Sequence, residues 1–186
     1  MAKCTDYQPS QVEVNNVLYC EKYVDFSGVS WMEKPPPNRP LLWLQMNVLP
    51  LDCDGIPVQG LAILIQWKPD HEPKQDGVEA LPKINIVALY NKKRIFAVDS
   101  YPFDGHTNRY KVEHPDFVSY ILGAHYHVYY EEAGRYSEVG FPIKEAIKSD
   151  DIRGFWQFFC EHLNIKCTGE LPIPLEDLSG QIGLPL

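Results

Sequence analysis

Between Asp99 and His127 the chain gathers the side chains best able to hold an ion or move a proton: Asp99, His106, Asn108, Arg109, His114, Asp116, His125 and His127. Four of its six histidines fall in this span. His125 and His127 are one residue apart, so on a β-strand both point to one face and two ring nitrogens can converge on one ion or one phosphate. Two chemistries fit. With His106 or Asp99, the pair makes a three- or four-ligand set for zinc or a similar ion. Without a metal, one histidine takes the proton from an RNA 2′-hydroxyl and another protonates the leaving oxygen, while Arg109 holds the charge developing on phosphorus. A reading without chemistry stands beside these, in which the two imidazoles cap a polar edge or hydrogen-bond to Asp99 and Tyr129. His71 and His162 are expected at the surface.

Such residues need a scaffold, and the apolar pattern describes one. Gln11 to Phe26, with Val12, Val14, Val17, Tyr19 and Tyr23, reads as a strand or a bulged pair of strands. The prolines at 35, 36, 37 and 40 break it with an extended connector. Two apolar runs, 41–49 and 61–67, flank Asp54-Gly55 and predict a hairpin. A second pair, 83–90 and 94–98, turns at 91–93, and 125–130 is a later strand. A helix is predicted from about Ser149–Asp151, with Ile152, Phe155, Trp156, Phe159, Cys160 and Leu163 as its buried stripe and Asn164 at its end. The expected fold is α+β. It has a twisted antiparallel sheet of about six or seven strands, partly barrel-like, with one long C-terminal helix packed on it. Residues 1–186 read as a single domain, with 168–186 an irregular tail.

Composition narrows the function. A net charge of −8 opposes a broad groove for duplex nucleic acid, but leaves room for a small pocket with a few local cations. No apolar run reaches the roughly 20 residues of a membrane span, and residues 1–7 lack a signal-peptide core, so a cytoplasmic protein without membrane contact is expected. The five cysteines read as reduced thiols; even Cys160 and Cys167, the closest pair, match neither a redox C-x-x-C nor a zinc-knuckle spacing.

Asp99-Ser100-Tyr101-Pro102, His106-Thr107-Asn108, Gly123-Ala124-His125-Tyr126-His127-Val128-Tyr129 and Gly140-Phe141-Pro142-Ile143 together resemble a pattern of small bacterial and prophage proteins. More distantly they resemble the TumE-type toxins of toxin–antitoxin pairs. The resemblance runs from about Arg94 to Phe141, with a helix after it. It implies a toxin-like ribonuclease or phosphodiesterase, with Arg94, Asp99, His106, Asn108, His125 and His127 as the site; Arg94 and Asn108 would hold the anion. RNA or a nucleotide would be the substrate.

A second reading has no chemistry: an acidic, phage-encoded inhibitor that covers a host defence protein, such as a nuclease or CRISPR-type complex. Glu131, Glu132, Asp116, Tyr130 and Tyr136 would form its face, joined by Tyr126. An exposed edge strand also offers a route to a dimer.

Overall fold

The computed structural model describes residues 7–34, 43–71 and 80–175, with the backbone alone at 70, 71, 135 and 136. The proline connector, the side chains of His71 and Tyr136, and 176–186 of the tail therefore lie outside the described residues. The elements, in chain order, are α1 (Gln11–Tyr19), β1 (Lys22–Asp25), β2 (Met32–Glu33), β3 (Leu44–Val48), β4 (Leu61–His71), β5 (Leu81–Tyr90), β6 (Lys93–Asp99), β7 (Gly105–Thr107), β8 (Tyr120–Leu122), β9 (His125–Tyr129), a 3-10 segment at Glu131–Tyr136, β10 (Glu138–Pro142), α2 (Ile152–Leu163) and β11 (Ile165–Thr168).

The strand expected over Gln11 to Phe26 is corrected to a helix followed by a short strand. Ser10 and Glu13 form a capping box: each side chain takes the other residue's backbone N–H, so the helix begins with two of its free donors satisfied. Val14 and Leu18, four apart, are the buried face. At its other end the ammonium of Lys22, fully buried, donates to the carbonyls of Val17, Leu18 and Cys20 at 2.7, 2.9 and 2.6 Å. A cation at a helix C-terminus complements both the open carbonyls and the dipole.

Seven strands form one antiparallel sheet in the order β10-β9-β6-β5-β4-β3-β2. The predicted hairpins are present. The second turns through Asn91 and Lys92, both at positive φ, as the right-handed twist of paired strands requires. The sheet is open, with β10 and β2 at its edges, so the barrel expectation is corrected; closure would require those two edges to pair. Nor is α2 long, at 12 residues. Asp151 caps it through the N–H of Gly154, and Asn164 ends it in the left-handed region. The chain then returns as β11, in parallel with β1. Past Thr168 the backbone is irregular to Leu175, but Leu171 is buried and the carbonyl of Pro172 accepts from the Trp31 indole at 2.9 Å.

Alternation gives the sheet two faces. Met46, Ile63, Ile65, Ile84, Ile86, Phe96 and Val98 share one, and the α2 stripe packs on it, with Phe96 and Phe159 rings 5.5 Å apart edge to face. His162, expected at the surface, is half-buried there among Phe96, Tyr126 and Phe158. The opposite face carries a polar row that the register sets side by side across five strands: Gln45, Gln66, Asn85, Asp99 and His125. The two-stranded β7–β8 unit places His106 against this face, beside His125 and His127. No helix among the described residues is long and apolar enough to cross a membrane.

Replacing Lys22 by Met leaves three carbonyls at the end of α1, that of Leu18 buried, without their donor, and should lower the unfolding free energy in urea by about 1–3 kcal/mol. A change within about 0.5 kcal/mol would mean that Lys22 is not what closes α1.

Candidate metal centre

β6, β9 and β10 build the site through their register. Asp99 faces His125 across one row, and Ala97, His127 and Gly140 form the next, so these residues project from one face. A bulge at Ile95 pairs Leu89 with Arg94, which turns Arg94 to this same face. His106 arrives from β7. Its ring stacks on His125 at 5.3 Å between centroids and meets His127 edge-on at 4.6 Å.

One nitrogen of each imidazole is fixed by an acceptor. The carbonyl of Gly123 takes the Nδ1–H of His125 at 2.7 Å, and Asp99 Oδ2 takes the Nε2–H of His127 at 2.9 Å. Asn108 Oδ1 takes the Nε2–H of His106 at 3.0 Å. The orientation of that carboxamide is itself determined, because its Nδ2 donates to the carbonyls of Val118 and Gly140 while its Oδ1 accepts the Gly140 N–H. In the neutral form of each ring these bonds decide which nitrogen carries the proton, and the lone pairs left over are then His106 Nδ1, His125 Nε2 and His127 Nδ1.

Two of these lone pairs are poorly served by protein. His127 Nδ1 is buried without a hydrogen-bond partner, a costly state for a polar atom. His125 Nε2 faces Asp99 Oδ2 at 3.7 Å, where two lone pairs meet unless a positive charge intervenes. The three histidines offer ligand atoms within 4.8 Å of one another, close enough to bind one metal ion. Zinc–nitrogen bonds of about 2.0–2.1 Å need a tighter set than this. A carboxylate, a backbone carbonyl and a carboxamide behind three histidines are the outer partners that fix ligand orientation in metal sites.

Electrostatics favour the ligand-ready states. Burial pushes His106 and His125 below the ordinary imidazole value, outweighing the Asn108, Gly123 and Asp99 contacts that act the other way. For Asp99, burial raises the pKa, but the hydrogen bond from His127 and the charges of His127, His125 and Arg94 bring it below the usual carboxylate range. Burial thus favours the neutral forms of His106 and His125, and Asp99 stays ionised beside them.

Among the other residues singled out in the sequence, Arg94 is ion-paired with Glu138, which takes up its role as an anion holder. Arg109 is exposed in the connection between β7 and β8, and the cation whose field reaches Asp99 and His106 is Arg94. Asn108 is a clamp on β10 rather than an open anion contact. Asp116 pairs with Lys144, and Glu131 accepts the Gln11 N–H at 2.6 Å, capping α1. Glu132 is exposed and accepts weakly from Tyr110 at 3.4 Å. Tyr126 and Tyr130, expected as exposed aromatics, are half-buried against Phe141.

Two supporting residues escaped the sequence reading. Asn85, in an otherwise apolar strand, donates to Asp99 Oδ1. Gly140 leaves the room His106 occupies: a Cβ there would stand 2.6 Å from His106 Cδ2 and 3.2 Å from Ile121 Cδ1. A glycine inside a strand pattern is the signal for such close approach.

Gly140→Ala should overpack this contact and cost about 1–3 kcal/mol in chemical unfolding. The histidines also give a pH signature. Because the folded pKa values of His106 and His125 lie below the unfolded value of about 6.5, their contribution to stability is complete above that pH and is lost as pH falls through the folded values. Metal-free protein should lose stability on acidification below about pH 6.5, and a His106→Asn, His125→Asn variant should show a flatter profile; equal slopes would overturn the assignment. Compared with known proteins, the chain matches no family model, no curated protein and no solved structure.

Proposed function

We propose that the protein is a metal-dependent phosphodiesterase of the small ribonuclease-toxin kind, with zinc or a similar divalent ion held by His106, His125 and His127. The observation that carries this reading is the orphaned Nδ1 of buried His127, set within one cluster of three imidazoles, each with one nitrogen tied to an acceptor. A bound divalent ion supplies a Lewis acid and lowers the pKa of water. Held by His106, His125 and His127, such an ion would keep room for solvent or substrate beside its protein ligands.

The chain's own residues do the rest. Asp99 holds the His127 proton and offsets positive charge at the centre, and Asn108 keeps the His106 ring turned inward. A metal-free acid–base pair is less well served, since His125 and His127 are each only 4% exposed and burial disfavours the protonated His125 ring that a general acid needs. An ion of charge +2 beside one carboxylate leaves a positive centre, which suits a phosphodiester. Tyr120 and Phe103, exposed on and before the β7–β8 unit, offer stacking surfaces for unpaired bases. The choice of RNA and the toxin-like role rest on the sequence resemblance. The inhibitor reading has less support, because Tyr130 and Glu131 are engaged within the fold.

The test is elemental analysis of purified protein together with an RNA-cleavage assay, for wild type and a His125→Ala, His127→Ala double variant. About one equivalent of metal per chain and cleavage in the wild type, with both lost in the variant, is expected. Metal without cleavage would keep the centre and remove RNA as substrate, whereas cleavage unaffected by the double variant or by a chelator would sink the metal reading.

A further inference from the structure

Cys160 in the last turn of α2 and Cys167 in β11 come together across the left-handed turn at Asn164, with their Sγ atoms 3.7 Å apart. Both are free thiols. They differ in access: Cys160 is buried at 8% exposure, while Cys167 is exposed. They also lie together in the wall of a surface cavity of about 480 Å³, whose lining includes Arg153, Trp156, Glu161 and Glu170. No other two free cysteines among the described residues are in such contact.

We propose that Cys160 and Cys167 are a redox-active dithiol, Cys167 the attacking and Cys160 the resolving thiol, and that the cavity admits a zwitterionic low-molecular-weight disulfide of the amino-acid or short-peptide class. Arg153, which pairs with Glu170 at 2.8 Å, and Glu161, which accepts from Gln157, line the cavity with charges of both signs, a polarity that matches the carboxylates and ammonium groups of such a molecule. The Cys167 thiolate attacks one sulfur of the small disulfide, forming a mixed disulfide and expelling one thiolate. Cys160 then gives its proton to a leaving thiolate and attacks Cys167 Sγ, expelling the second half. The balance is one protein dithiol and one small disulfide converted to one protein disulfide and two small thiols.

Electrostatics assign the same roles. The hydrogen bond from the Cys160 thiol draws Cys167 down to about 7, despite burial acting against it, and the same contact pushes Cys160 up. A low-pKa, accessible cysteine beside a resolving cysteine is the arrangement of thiols that oxidise reversibly. The closed loop is short and spans the end of α2, so oxidation ties the helix directly to β11.

Full-length protein treated with glutathione disulfide, digested without reduction and mapped by mass spectrometry should yield the Cys160–Cys167 cross-linked peptide, and dithiothreitol should reverse it. Cys160→Ser should stop at glutathione attached to Cys167, and Cys167→Ser should leave Cys160 unmodified. The rate at Cys167 should reach half its maximum at pH about 7. A wild-type protein carrying a persistent mixed disulfide at Cys167 with no cross-link, or a rate still climbing as for an ordinary thiol of pKa about 8.5, would falsify the proposal. The wild-type map decides this even if a variant fails to fold.

Discussion

Keeping a carboxylate ionised inside a protein demands positive partners and donors, and the largely buried Asp99 imposes that demand on everything around it. Its two oxygens draw the Asn85 carboxamide from β5 and the His127 ring from β9, with His125 at 3.7 Å and the field of Arg94 beyond. Each of these depends on strand register. Slipping β9 by one residue would send both histidines to the α2 face and bring Tyr126 to the carboxylate.

The same constraint explains features that look incidental along the chain. The bulge at Ile95 aims Arg94 at the polar face, where Glu138 of β10 receives it. Gly140 stands where any side chain would displace His106, and Gly123 adopts φ +106, a conformation costly for other residues, while presenting its carbonyl to His125. On the far face the aromatic packing of α2 holds β6 and β9 in place, so an apolar layer on one side supports a polar cluster on the other.

The ends of the helices carry a second kind of constraint. Lys22 closes α1, and the Asn164 side chain donates to the carbonyl of Tyr19, so the C-termini of the two helices meet beside the β1–β11 pair. That junction brings Cys167 back alongside the last turn of α2. The thiol pair and the histidine cluster therefore arise from different parts of the architecture and can be tested independently.

Much of the sheet was legible in the sequence because local pattern sufficed: alternating apolar residues in β3 to β6, turn residues at Asp54-Gly55 and Asn91-Lys92, and a three-four stripe in α2. His125 and His127 on one face followed from the period of a strand alone. Near Val12 and Val14 the same pattern misled, since spacings of two occur in short helices and the Ser10–Glu13 box was the better signal. What the tertiary structure alone decided is long-range. The meeting of His106 with the strand histidines, the support from Asn85 and Gly140, the pairing of Arg94 with Glu138 and the contact of Cys160 with Cys167 all join separate elements. No local spacing encodes such contacts, because they are set by sheet register, one bulge and the angle at which the chain leaves a helix.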